Sequence, residues 1–488
     1  MNLKNIVKTT LKALKTESEL ELSYLFGNPN IDLTYAKLKK PKYSGVFFRS
    51  LVFFYNVLRN FSFSSESSPS KAIYVFAGTD NQFNSLKPTL EALQVKGDDF
   101  YLSVGQGVSE KSRGFHGAHP VKFNPKVALA AFALFLSRAW PLYRKLKREK
   151  REVEISWHFS AFCQAYIFVP YFLEVLPKLQ PGLVVMSNDH NVNNRSLRLA
   201  AEMLGIKTLY MQHASVSEIF PPLEFDYALL DGKLAHQVYL HCYEIQKGTN
   251  PRIEKNVANC QVVLTGQKKP VVQVKQDTQL DGVQIGLAVN QIDDFHCVQA
   301  LLDHLAPMQL KCIVRTHPFQ NPVFLEQLQS YMQDKAWLSW SNSREQPLAD
   351  YFANVNTLIA GNTSIHLEAA LAGLPTFYYE MSDKVHRPDY YGYVKNGVSN
   401  RLDQGFSFES LKSNVDNAHS AERHEAIKNY SETYGTPWQN REGELSAWVI
   451  EAILNDEPLD TLFRNEAPGV YKSVMSLANE KHPSYSIS

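Results

Sequence analysis

The stretch Thr357–Tyr379, TLIAGNTSIHLEAALAGLPTFYY, parses as strand, turn, helix, turn, strand. Thr357–Ala360 is a short β-prone run. Gly361-Asn362-Thr363-Ser364 supplies a flexible turn ending in residue types that favour a helix N-cap. Ile365–Ala372 is rich in helix formers and carries Glu368 near its first turn. Gly373 and Pro375 stop the helix, and Thr376–Tyr379 reads as the next strand. A helix start of this kind offers unpaired N–H groups, hydroxyls and the positive end of a dipole. The pattern therefore predicts a phosphate or diphosphate cradle at Asn362, Thr363 and Ser364.

Upstream of the cradle the same alternation continues. Val283–Val289 is a buried-type strand and Phe295–Leu305 a helix. Cys312–Arg315 is a strand ending in Arg315-Thr316-His317-Pro318. Pro322–Asp334 reads as a helix, Trp337–Trp340 as a strand and Pro347–Asn354 as a helix. Regular βα alternation predicts a parallel sheet with helices on both faces.

The first half has its own alternation. Ala72–Phe76 is a strand ending at Gly78-Thr79-Asp80, Leu86–Leu93 a helix and Phe100–Val104 a strand. Leu183–Ser187 is a strand ending in Asn188-Asp189-His190, followed by the Arg195–Leu204 helix. Thr208–Gln212 ends in Gln212-His213-Ala214-Ser215, and Tyr227–Leu230 ends at Asp231-Gly232. Val262–Leu264 reads as the last strand of this half. Ligands of open α/β sheets bind beyond the C-terminal ends of strands. That singles out Asp189, His190 and His213 here, and Arg315 and His317 in the second half. Gly266–Gly282 is polar, lacks an apolar period and reads as the interdomain linker. Ser62–Ser70 reads as a loop, and the tail from Lys472 as loosely ordered.

Composition narrows the classes. The 488 residues suit two domains. A formal charge of +1 gives no bulk electrostatic signal for nucleic acid. The five cysteines, at 163, 242, 260, 297 and 312, form no CxxC pair. A reduced, cytoplasmic chain fits them better than a disulfide scaffold or zinc module. No secretory signal is visible, and the longest apolar run, Val127–Leu136, falls short of the roughly 20 residues a bilayer span needs. Met1–Thr16 is a basic amphipathic helix, read as packing on its own domain with membrane-surface docking as the alternative. The basic tract Arg144–Arg151 reads as a solvated helix face, with anionic lipid or glycan as the alternative.

Three motifs together resemble the GT-B glycosyltransferases of bacterial surface polysaccharide synthesis. The nearest types are the capsular polysialyltransferases and Kdo-transferases, and the CDP-glycerol glycerophosphotransferases. The motifs are Gln212-His213 with Pro222, Asp226 and Gly232; Arg315-Thr316-His317-Pro318; and Gly361-Asn362-Thr363-Ser364 with Glu368, Ala369, Gly373 and Pro375. They span the middle of the chain. Ala214 replaces the usual glycine after Gln-His, and only Asp231-Gly232 stands where an acidic-acidic-glycine motif is usual.

The resemblance implies a GT-B fold: two Rossmann-like α/β domains facing a central cleft, with extra N-terminal and C-terminal helices. Residues 1–270 would form the acceptor side and 283–420 the nucleotide-donor side. Residues 421–488 would be helices and a tail packing back on the first domain. It implies a nucleotide-sugar donor as substrate, CMP-, UDP- or CDP-linked, and no separate cofactor. His317, Thr363 and Ser364 would bind the donor's phosphate, and Glu368 would sit near its ribose or base. Arg315 and Asn362 join that set. The acceptor would be a glycan or lipid-linked glycan, and the site peripheral to the inner face of the plasma membrane. An acceptor hydroxyl needs a base within reach; Asp189 and His213 are the candidates, with Glu218 third. With no Asp-x-Asp motif, metal-independent transfer is expected. The alternatives are a CDP-polyol phosphotransferase, a UDP-sugar 2-epimerase and a non-catalytic glycan-assembly protein.

Overall fold

The computed structural model describes residues 1–29, 31, 41–63, 70–97, 99–248, 250–268, 284–383, 388–416 and 420–472. The Ser62–Ser70 loop, the Gly266–Gly282 linker and the tail after Lys472 fall wholly or mostly outside them.

The first sheet comprises β1 (Ile73–Thr79), β2 (Phe100–Gly107), β3 (Ala118–Pro120), β4 (Leu183–Met186), β5 (Lys207–Met211), β6 (Tyr227–Leu230) and β7 (Gln261–Leu264). The second comprises β8 (Gln284–Val289), β9 (Lys311–Thr316), β10 (Leu338–Asn342), β11 (Thr357–Ala360), β12 (Thr376–Tyr378) and β13 (Asn400–Arg401). The chain then returns to the first sheet with β14 (Arg464–Ala467) and β15 (Val470–Lys472). β15 pairs in parallel with β7, so β7 is an inner strand rather than the last.

The inner strands of both sheets are buried on two faces, which is why β1, β4, β8 and β11 are near-continuous apolar runs. Side chains alternate between two cores at period two. Tyr74, Phe76, Val184 and Met186 face the aromatic core under the Pro125–Arg148 and Ala165–Leu179 helices. Ile73, Val75, Leu183 and Val185 face the Asp80–Lys96 and Glu442–Leu454 helices, where Trp448 is buried. In the second sheet Ile285 and Leu287 face one core and Ala288 the other. Gly286 is required there: a Cβ would come within 2.6 Å of the Tyr351 hydroxyl.

Strand order fixes where a ligand can sit. The first sheet runs β14-β15-β7-β6-β5-β4-β1-β2-β3, and the second β10-β9-β8-β11-β12-β13. In the first, the chain moves outward from β1 to β3 and then resumes at β4 on β1's other side. In the second, it moves outward from β8 to β10 and resumes at β11. The crevices beyond β1/β4 and β8/β11 are therefore topological switch points. Asp189 and His190 follow β4; Asn362, Thr363 and Ser364 follow β11.

The C-terminal segment around Asn429–Thr433 packs against Asp231, Gly232, Gly266 and Gln267 of the first domain. Glu432 N donates to Asp231 O at 2.8 Å and Gln267 N to Ser431 Oγ at 3.0 Å. Gly232 and Gly266 let this segment pass. A Cβ on Gly232 would meet Asn429 O at 2.5 Å, and one on Gly266, whose φ is +74°, would meet Thr433 Oγ1 at 1.9 Å. Lys268 is buried in the same place, paired with Asp231 at 3.2 Å.

The Leu3–Thr16 helix packs on the Pro125–Arg148 and Ala165–Leu179 helices, burying Ile6, Thr10, Ala13 and Leu14. Its apolar stripe is thereby occupied, and its lysines stay outside. Glu154–Leu179 is long and apolar enough to cross a membrane, yet 78% of its most apolar window is buried as the central helix of this domain.

Candidate active site

Asp189 is enclosed on all sides. Its Oδ1 accepts from His190 Nδ1 at 2.7 Å, and its Oδ2 from the Tyr239 hydroxyl at 2.6 Å. Burial pushes this carboxyl up. The His190 bond and charge, the Tyr239 bond and the charge of His213 outweigh it and hold the carboxyl below its ordinary value. The group that closes the local turn is Asn188, whose Oδ1 accepts from the backbone N–H groups of His190 and Asn191. Asp189 thus presents no free carboxylate oxygen, and its bond to His190 Nδ1 is its link to that imidazole. With Nδ1–H donated to Asp189, Nε2 of His190 is the acceptor nitrogen. It lies 3.1 Å from the Asn188 amide.

His213 follows β5, with its ring centre 6.2 Å from that of His190. The preceding Gln212 is buried and pins this loop: its amide donates to Ala214 O, and its Oε1 accepts from Asp231 N at 2.9 Å. Glu218 stands apart on the surface, 3.6 Å from His241. Asp226 is structural, accepting from the N–H and hydroxyl of Thr208 at 2.8 Å. Thr79 caps the helix it precedes.

In the second domain, β9, β8 and β11 are adjacent, so the ends of β9 and β11 lie about 10 Å apart. The loop after β8 ties them together. Asn290 Nδ2 donates to Asn362 O at 2.7 Å, and Gln291 Nε2 to Phe319 O at 2.8 Å. His317 Nδ1 accepts from Phe319 N at 3.1 Å. The neutral ring therefore carries its proton on Nε2, the donor form. Arg315 is buried over the Tyr351 ring and donates to Ser341 Oγ and Gln346 O. Burial lowers its pKa, and the opposing charges of Tyr351 and Glu368 do not restore it.

The cradle differs from the sequence expectation in one respect. Ser364 does not cap its helix. Its backbone is helical, at φ −68° and ψ −12°, and no side-chain bond closes the first turn. A cap needs extended backbone at that position; the tight turn with Thr363 N on Gly361 O prevents it. The Ile365–Leu371 helix is also short, at 7 residues. Its dipole is correspondingly small.

Several residues here were not read from the sequence. His366 is buried, donates to Gly361 O at 2.9 Å and accepts from Ser399. Burial depresses its pKa to about 4, so the ring is a neutral brace for the turn. Asp293 lies against the same glycine: a Cβ on Gly361 would come within 3.1 Å of Asp293 Oδ1. The cluster Asn290-Gln291-Ile292-Asp293-Asp294 at a strand end was the available signal. Burial, opposed by the Asn290 N–H and reinforced by Glu380 and Asp294, pushes Asp293 up to about 8.

That shift gives a pH prediction. Between about pH 4 and 8 the unfolded chain has lost a proton that folded Asp293 keeps, so stability falls as pH rises through this window. Asp293→Asn keeps the acceptor oxygen and removes the ionisation. Its melting temperature should gain on the wild type steadily from pH 5 to pH 8; a constant difference would contradict the assignment.

The two switch points meet across the cleft. Asn362 Oδ1 accepts from Tyr390 N at 2.8 Å, fixing the loop between β12 and β13. From that loop Tyr390 OH reaches Ser217 Oγ at 2.6 Å, and Tyr393 OH reaches Ser215 Oγ at 2.7 Å. Ser215 and Ser217 belong to the loop that carries His213. The charge of Glu368 acts on Tyr393 as well as on Arg315.

Two α/β domains with parallel sheets, joined at their C-terminal strand edges, define the GT-B class of architecture. No family model matches the chain, and no curated protein does. Among solved structures, the chain is similar to S. aureus MnaA with UDP, at 13% identity and a TM-score of 0.46, over 79% of this chain and 97% of that one. It is similar to the Acinetobacter baumannii MurG, at 13% identity and a TM-score of 0.45, over 78% and 99%. It is also similar to the glycosyltransferase SnogD from Streptomyces nogalater, at 13% identity and a TM-score of 0.45, over 79% and 100%.

Proposed function

We propose that this chain is a nucleotide-sugar-dependent glycosyltransferase extending a bacterial surface glycan. The observation that carries the reading is the convergence of two switch points. One holds an acceptor imidazole backed by a buried carboxylate. The other holds two hydroxyls after β11, with a donor imidazole after β9, two strands away in the same sheet.

In this reading the acceptor hydroxyl gives its proton to His190 Nε2, displacing the Asn188 amide. Asp189 keeps the ring oriented and offsets the charge it gains. The acceptor oxygen bonds to the anomeric carbon as the bond to the donor's phosphate breaks, and the electron pair leaves with the nucleotide. His317, Thr363 and Ser364 donate to that departing anion, stabilising charge as it develops. Glu368 takes the ribose or base side, and Arg315 and Asn362 hold the two loops that frame the donor.

The test is a melting-temperature panel with UDP, CMP, CDP and GDP. A nucleotide at 100 times its Kd stabilises the fold by about 2.7 kcal/mol, or roughly 5–10 °C for domains of this size. One nucleotide should give such a shift, and Ser364→Ala with His317→Ala should abolish it. No shift with any of the four would remove the donor reading. A shift with CDP alone, and a phosphodiester product, would favour polyol-phosphate transfer.

A further inference from the structure

We propose that the face formed by the Val46–Arg59 and Pro125–Arg148 helices docks on an anionic phospholipid bilayer, lying in its headgroup region. Phe47, Leu51, Tyr55 and Leu58 recur at helical spacing on one side of Val46–Arg59, with Phe48 beside them. All five are exposed, Phe47 at 67% and Leu58 at 63%. The opposite side buries Phe53 and Val57. This helix is therefore apolar nearly all round while only one side is covered, and a soluble helix would be polar on the other. Its neighbour continues the surface. Phe54 stacks on Phe132 and packs on Phe135, and from the same helix Leu136 is 80% exposed and Trp140 62%. Contiguous apolar area of this kind marks an interaction site.

The charges identify the occupant. The Val46–Arg59, Pro125–Arg148 and Leu3–Thr16 helices carry two, six and four Lys or Arg, and no Asp or Glu. The whole chain has 50 basic and 49 acidic residues, so this is a local segregation. Some of these cations are held within the molecule: Arg138 by Glu19 and Lys147 by Glu152. Lys4, Lys8, Lys12, Arg144 and Lys145 remain exposed. Two copies meeting through this face would set like charges against each other. Exposed aromatic and aliphatic side chains on helices that carry cations and no acidic residue fit an anionic interface.

The face also adjoins the acceptor side of the cleft. Asn60, at the end of the first helix, accepts from Gln106 Nε2 at 2.6 Å. Gln106 lies at the C-terminal end of β2, on the same sheet edge as Asp189. Docked this way, the acceptor side of the cleft opens next to the headgroups. The docking itself does not depend on the transferase reading, since the measurement needs no donor.

The full chain is floated with vesicles of phosphatidylcholine alone and with vesicles containing about one-third phosphatidylglycerol. The chain should float with the anionic vesicles and not with the neutral ones. Phe47→Glu with Leu58→Glu, and separately Arg144→Glu with Lys145→Glu, should each lower binding at least about tenfold. Melting temperature should be unchanged, because these side chains are exposed. If the Phe47/Leu58 pair does destabilise the fold, Leu136→Glu repeats the apolar arm on the neighbouring helix. Three results would overturn the proposal: no flotation with anionic vesicles, flotation insensitive to both arms, or a solution dimer that Phe47→Glu dissociates.

Discussion

Transfer by Asp189→Asn is expected to fall roughly 10²–10⁴-fold in kcat, the range over which a positioned general base contributes. Nucleotide affinity should stay unchanged, because the donor cradle lies in the other domain. The carboxylate is buried with both oxygens engaged, so it cannot meet an acceptor; under the proposed mechanism it acts by holding His190 Nδ1–H. An asparagine preserves shape and one acceptor oxygen but removes the charge that offsets the imidazolium formed on proton transfer. His190→Gln should fall by as much, since it deletes the base itself. His213→Gln is the control that separates the two imidazoles. If it alone abolished turnover while His190→Gln did not, the base would be His213. If all three variants kept turnover within about threefold, far below the contribution of a general base, the first domain's chemistry would have to be sought elsewhere.

The layered architecture was legible because parallel strands covered on both faces must be apolar on both. AIYVF, LVVM and VQIGLAV declare themselves in this way, and Gly205 and Gly373 end their helices where the apolar period stops. The strand ends bearing Asp189, His213, His317 and Thr363 followed directly, because a ligand edge is a property of topology.

What was hidden depends on contacts between distant residues. β14 is polar and at the sheet edge, and β15 beside it is only three residues long, so no period marks them. The Tyr390 and Tyr393 hydroxyls bridge to serines more than 170 positions away. The order of Asp189 and His190 was visible, but not which of the two would be enclosed. Burial decided it, because a carboxylate can be buried once both oxygens accept bonds, while the imidazole beside it stays half-buried. Ser364 looked like a cap by type and failed by backbone angle.

Glu17 illustrates the same limit and carries the second large effect. It follows a helix read only as basic and amphipathic, yet its side chain is fully buried among three arginines. Arg195 donates to its Oε1 at 2.5 Å, while Arg252, at 2.8 Å, and Arg198 share its Oε2. Glu224 shares Arg195 and Arg252. Burial pushes the Glu17 carboxyl up, but the charges of Arg195, Arg198 and Arg252 together hold it far below the ordinary carboxylate range.

Removing one member of a buried ion network strands the others and costs about 3–5 kcal/mol. For Glu17→Ala that corresponds to a fall in melting temperature of roughly 6–20 °C. Glu17→Gln should be nearly as costly, because its amide N–H₂ would face guanidinium donors. A lowered carboxylate pKa contributes stability above the unfolded value near 4.5 that is lost as pH falls through the folded one. The gap between wild type and Glu17→Gln should therefore be full at pH 6 and narrow below pH 4.

The network also reaches the site, since Arg195 Nη1 donates to Asp189 O at 3.2 Å. A folded Glu17→Gln preparation should turn over more slowly at unchanged nucleotide affinity, linking the first helix to the orientation of His190. Full turnover in that variant would confine Glu17 to stability alone.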